Sequence, residues 1–138
     1  MKHFGIALVL VWTAAAQGQE TFKTRLSPVP IDAQLAPTVT GHGSVTVVLA
    51  GTKATVTGSF EGLRSAATTA HLYLSKMTGV RGAVTTHELT VSKAVGGNIS
   101  GSVDLTAAEA DALRKGLLYV QVDSVGAKDG NLWGWLLK

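Results

Sequence analysis

The chain closes on "DGNLWGWLLK", which places Trp133 and Trp135 two residues apart at its end. With four histidines, nine acidic residues and no cysteine, these are the side chains from which chemistry could be built. His42, His71 and His87 lie too far apart to form a metal motif by spacing, and each reads as a surface or structural histidine. Gly41-His42-Gly43-Ser44 reads as a glycine turn before a strand, and no Gly-x-Ser-x-Gly elbow occurs elsewhere. A glycine-rich phosphate loop ending in lysine is also missing from the sequence. Glu61 and Glu88 could serve as an acid/base pair only if the fold brought them together, and their spacing does not ask for it. The expectation is a protein without a catalytic centre and without a cofactor.

The elements that must position these residues are strands. Val45, Val47 and Leu49 alternate with Thr46 and Val48; after Gly51-Thr52, Ala54, Val56 and Phe60 alternate with polar neighbours. Two half-buried strands joined by a tight turn follow from that period of two. Further runs span residues 21–26, 69–74, 88–92, 98–105, 117–122 and 132–137. So many short strands predict an antiparallel sandwich or barrel. Gly58, inside a strand, suits a bulge or a close backbone approach. Thr106-Ala107-Ala108-Glu109 is a capping box, and Gly116 stands where a left-handed C-cap belongs, so one short helix is expected over about 106–115.

Alternation also sorts the aromatic residues. Trp133 and Trp135 share one face of the last strand, while Leu132, Gly134 and Leu136 share the other. Leu118, Val120 and Val122 oppose Tyr119, Gln121 and Asp123 in the same way. The segment Ser124 to Asn131, with Gly126 and an Asp129-Gly130 turn signal, makes these two strands a hairpin. If the aliphatic faces enter the core, the tryptophans join Tyr119, Gln121 and Asp123 outside. Two readings follow. The indoles cap the fold, or Trp133, Trp135 and Tyr119, joined by Tyr73 and His71, form a platform that docks a protein or a carbohydrate.

The N-terminus has the three parts of a secretory signal: basic Lys2 and His3, an apolar run from Phe4 to Trp12, and the small residues Thr13 to Gly18. The run is too short for a bilayer span of about 20 residues. Residues 1–18 are therefore read as a signal peptide cleaved after Ala16 or Gly18, and the product as secreted or periplasmic. Removing Lys2 leaves 11 basic against 9 acidic residues, a net charge of +2. No Lys/Arg run exceeds Arg114-Lys115, so neither nucleic acid nor a membrane surface is an expected partner. Without cysteine, hydrophobic burial must hold the fold, and about 120 residues suffice for one domain.

Three segments together, "TAHLYLSKMTGVRGAVTTHELT", "GGNISGSVDLTAAEADALRKGLLYVQVDS" and "DGNLWGWLLK", resemble the CHRD domain family over about residues 22–138. The resemblance implies an exported immunoglobulin-like or Greek-key β-sandwich, in a family named from repeats in a secreted developmental antagonist that binds growth factors. The departures matter for chemistry. Where the family often shows His-x-His, this chain has His71 and then Tyr73; where a histidine often follows Leu-Tyr-Val-x-Val, it has Asp123. A metal site, for copper or zinc, would therefore have to be built around His71 and Asp123.

The chain is expected to form an all-β, antiparallel Greek-key, immunoglobulin-like β-sandwich with one short helix, a single domain over about 21–138. Its expected role is that of a non-catalytic module binding another exported protein or a larger enzyme complex. The alternative is a metal-binding protein or enzyme near His71 and Asp123. Residues 19–40 are read as a strand followed by a proline-containing arm, where Pro28, Pro30 and Pro37 favour extended backbone, either as a strap along a strand or as an arm clasping the partner.

Overall fold

The computed structural model describes residues 18–30, 33–34, 36–82 and 85–138. The signal segment lies outside these residues up to position 17, as do residues 31, 32 and 35 of the proline arm. The elements are β1 (Glu20–Pro28), β2 (His42–Ala50), β3 (Lys53–Glu61), β4 (Ala67–Leu74), β5 (Thr85–Val91), β6 (Gly97–Asp104), α1 (Ala107–Arg114), β7 (Leu118–Ser124) and β8 (Ala127–Trp135), with a short 3-10 turn at Ala36–Thr38. Each of the eight strand-like runs in the sequence falls within or across one of these strands. Among the described residues no helix is long and apolar enough to cross a membrane.

The strands form a closed antiparallel barrel in the order β1-β2-β3-β6-β5-β4-β7-β8. This overturns the expected immunoglobulin-like sandwich. Closure happens at two strands that each serve two neighbours along their length. β1 pairs with β2 through Glu20 to Leu26 and then with β8 through Ser27 and Pro28. β5 pairs with β4 through Thr85 to Leu89 and with β6 through Thr90 and Val91. A strand that changes partners turns the corner between sheets and joins the edges that a sandwich would leave apart.

The physical reason for closure lies in where glycine falls. Gly43, Gly58, Gly101 and Gly134 occupy inward positions of β2, β3, β6 and β8, in phase with the buried residues beside them. A Cβ on Gly58 would sit 2.5 Å from the Ser44 carbonyl oxygen, and one on Gly134 would sit 2.5 Å from the Arg25 oxygen. On Gly101 it would meet Leu89 Cδ2 at 2.8 Å. Strands can curl tightly around a small core only where no side chain blocks the inner surface. Gly58 is thus a close approach and not a bulge: its pairing with Val45 keeps the register of the whole β2–β3 ladder.

The core fills the barrel with Phe22, Val47, Ala54, Val56, Leu72 and Val120, all at most 1% exposed. One mouth is covered by α1, whose Ala110, Ala112 and Leu113 join the core. The capping box forms as read: Glu109 N–H donates to Thr106 Oγ1 and Thr106 N–H to Glu109 Oε1, both at 3.1 Å. The same carboxylate latches the helix to β5, accepting from Thr85 Oγ1 at 3.3 Å and lying 2.5 Å from His87 Nε2. Glu20 adds an outer tie, 2.8 Å from Arg114 Nε. At the other mouth the β3–β4 connection buries Leu63, whose N–H donates to the Val95 carbonyl.

Two stability experiments follow. Gly134→Ala forces β1 and β8 apart and is expected to cost about 1–3 kcal/mol in denaturant titrations, as overpacking does. Glu109 supplies a pH dependence. Burial pushes its pKa up, but the hydrogen bonds from His87 and Thr106 and the His87 charge outweigh it, leaving the carboxyl below its ordinary 4.5. A folded-state pKa below the unfolded one adds stability at higher pH that is lost as the pH falls through the folded value. Thermal melts of the native chain should therefore fall more steeply between about pH 6 and about pH 3 than those of Glu109→Gln, whose amide can still cap the helix.

Candidate binding face

β7 is buried along its whole length on both faces. Its inward residues Leu118, Val120 and Val122 enter the barrel core. Its outward residues Tyr119, Gln121 and Asp123 are covered too, so a second, smaller layer must lie outside the barrel wall. Register shows how it is built. Tyr73 of β4, Tyr119 of β7 and Trp135 of β8 stand side by side, and His71, Gln121 and Trp133 form the next row. The aliphatic faces do enter the core, and the rings are outside.

The five rings form an unbroken array. Tyr73 stacks on Tyr119 with centroids 5.0 Å apart and planes at 22°. Trp135 lies 4.6 Å from Tyr119, and Trp133 meets both Tyr119 and Trp135 edge-on at 6.1 Å. His71 extends the row, 5.5 Å from Tyr73. Tyr119, at the centre, is 2% exposed, whereas Tyr73, His71, Trp133 and Trp135 are half-buried. Aromatic pairs in such offset and edge-to-face geometry add roughly 0.5–1.5 kcal/mol each beyond burial of area. The centre of the array is therefore structural, and its rim keeps ring surface open.

Polar groups beneath the outer layer are paired in a chain. Thr69 Oγ1 donates to Asp123 Oδ2 and Gln121 Nε2 to Asp123 Oδ1, each at 2.9 Å. Gln121 Nε2 also reaches the Asp129 carbonyl at 3.3 Å, and Arg81 Nη2 approaches that oxygen to 2.5 Å. The β4–β5 connection is thereby drawn across the outer face, and Gly82 N–H approaches the Tyr119 hydroxyl at 3.4 Å. Thr78 Oγ1 anchors the same loop to the Gly116 carbonyl at 2.7 Å. The Lys76 to Arg81 loop, read as a solvated hairpin end, is exposed yet tied down at both flanks. Burial, then the Asp123 and Tyr119 charges, hold the Tyr73 phenol above its ordinary pKa against the opposing pull of Arg81. It stays neutral and can donate.

Two polar atoms stand outside this economy. His71 Nδ1 and Trp135 Nε1 are buried and have no hydrogen-bond partner. Buried polar groups are overwhelmingly paired, and an orphan costs about 1–3 kcal/mol. Both orphans belong to rings at the rim of the array.

The β7–β8 connection is tighter than expected. Ser124 pairs with Ala127 across Val125-Gly126, and Asp129-Gly130 lies inside β8, not in a turn. Gly130 has φ 129°, and a Cβ there would meet Gln121 Nε2 and Val29 Cγ2 at 3.0 Å. Its freedom goes into seating the Gln121 amide. Asn131, fully buried, accepts from Ser124 Oγ at 2.7 Å and donates to the Thr40 carbonyl at 2.9 Å. Val29 N–H donates to the Asn131 carbonyl, so the proline arm begins as a strap along β8.

The other candidate residues are dispersed. Among the described residues no three His, Cys, Asp or Glu side chains converge. His71 and Asp123 share the outer face, but His71 pairs with Gln121 and Asp123 with Thr69, and both Asp123 oxygens already accept hydrogen bonds. Glu61 binds His42 at 2.7 Å on the surface, while Glu88 stands opposite His71 on β5; the strands carrying the two glutamates are separated by β6. The His87–Glu109 latch went unread, since 22 residues and two different elements separate its partners and no local spacing announces it.

A family model for the CHRD domain matches residues 22–136. Neither the curated proteins nor the solved structures searched contain a match to the chain. The family match runs from Phe22 in β1 to Leu136 just beyond β8, so it includes residues of all eight strands, and the chain belongs to the CHRD domain family.

Proposed function

We propose that this CHRD protein is an exported, non-catalytic module that binds another exported protein through the outer face of β4, β7 and β8. One observation carries the reading. The rim of the aromatic array holds two tryptophans, a tyrosine and a histidine, each only half-buried, around a Tyr119 that is enclosed. A docking partner covers this open ring surface, and the rings provide the apolar, rigid contact that dominates binding hot spots. Export is supported by the N-terminal segment with its basic, apolar and small-residue parts.

The test uses co-purification from the native exported fraction, followed by alanine substitution at the rim. Trp133→Ala is expected to keep the barrel folded by circular dichroism and to weaken capture of the identified partner by about 30-fold or more, as a hot-spot loss of about 2 kcal/mol requires. Unfolding of Trp133→Ala and Trp135→Ala alike, or capture unchanged in a folded variant, would sink the proposal and return the indoles to a capping role. Stoichiometric copper or zinc in the purified protein would instead favour a site at His71.

A further inference from the structure

The seam where β1 meets β8 is only partly laddered. Ser27 and Pro28 pair with Trp133 and Leu132, and Lys23 bridges Leu137, but residues between them do not pair. The same register sets Arg25 across from Trp135 on the outside of the barrel. The Arg25 carbonyl points to Gly134 and accepts from its neighbour's Thr24 Oγ1 at 3.1 Å. Over this gap runs a groove of about 570 Å³, walled by Lys23, Arg25, Trp135 and Leu137 together with the hydroxyl-bearing Ser44 and Thr46.

Three properties of the groove point to one ligand chemistry. Lys23 and Arg25 project outward about 7 Å apart, two strand positions along β1, and among the described residues neither pairs with a carboxylate. Trp135 is half-buried and offers a flat apolar ring face to the groove. Short hydroxyl side chains line the remaining wall. An apolar peptide would leave both cations unpaired, and a simple inorganic anion would leave the indole unused. A sugar ring bearing a carboxylate uses all three: the ring stacks on the indole, its hydroxyls meet Ser44 and Thr46, and the carboxylate bonds to Lys23 and Arg25 with charge assistance. We propose that this groove binds uronic acid residues of an acidic polysaccharide. It shares Trp135 with the docking face but does not rest on that reading.

The probe is trigalacturonic acid, with neutral galactotriose as control, titrated into the full chain labelled with nitrogen-15 at tryptophan; Trp133→Phe assigns the indole signals. The Trp135 indole N–H signal is expected to shift saturably with the acidic sugar and to need about tenfold more of the neutral one. Lys23→Gln combined with Arg25→Gln should weaken binding about tenfold or more with the melting temperature unchanged, both side chains being exposed. Lys23→Glu alone provides a second charge variant with the same expected direction. No shift at about 20 mM sugar, which would nearly saturate a site with a Kd of about 1 mM, overturns the proposal. So does equal binding of the neutral sugar, binding that survives the charge variants, or binding that leaves the Trp135 signal unmoved. Trp133→Ala separates the two sites: loss of the protein partner with uronate binding retained would leave both readings standing.

Discussion

Closure of the barrel depends on a contact that no side chain can occupy. At the seam between β1 and β8, Gly134 lies against the Arg25 carbonyl and Thr24, closer than any Cβ could be placed. Three further inward glycines, Gly43, Gly58 and Gly101, let β2, β3 and β6 curl over the same core. The ring of strands can then close, and an all-β chain without cysteine shortens its unpaired strand edges without the help of disulfides. The same seam brings β8, with its tryptophans, beside the two cations of β1.

A closed barrel has only an inside and an outside, so covering part of the outside takes a separate layer. Here the layer sits over β7. Tyr119, Gln121 and Asp123 would stand in water on a bare wall; instead the flanking rings, the loop tied by Thr78 and Arg81, and the polar chain through Thr69 enclose them. The enclosure is selective. Every oxygen of Asp123 is bonded, while the nitrogens of His71 and Trp135 at its margin are not.

How much of this could be read in the residues follows from the range of each interaction. The eight strands and the helix were legible because alternation and the Thr106–Glu109 capping box act within a few residues. The outer placement of Trp133, Trp135, Tyr119, Tyr73 and His71 followed from the same alternation once the aliphatic faces turned inward. Sandwich and barrel, however, share that alternation; they differ in whether β1 hands over from β2 to β8, a pairing across more than 100 residues of chain. Gly58 was recognised as a special position, yet the meaning of all four inward glycines emerges only when the facing backbone is known. Asp129-Gly130 resembled a turn because a glycine at positive φ is common there, whereas here that freedom seats a buried amide.

The amino-acid sequence by itself determined which segments are strands, where helix α1 starts and stops, and which side chains share a face, because steric alternation and capping are local. Tertiary structure alone decided that the sheet closes, that Tyr119 is enclosed while the indoles stay half open, that Glu109 latches the helix through His87, and that Arg25 comes to lie across from Trp135. Each of these requires groups far apart in the chain to meet, and their meeting is settled by how eight curled strands pack around one core.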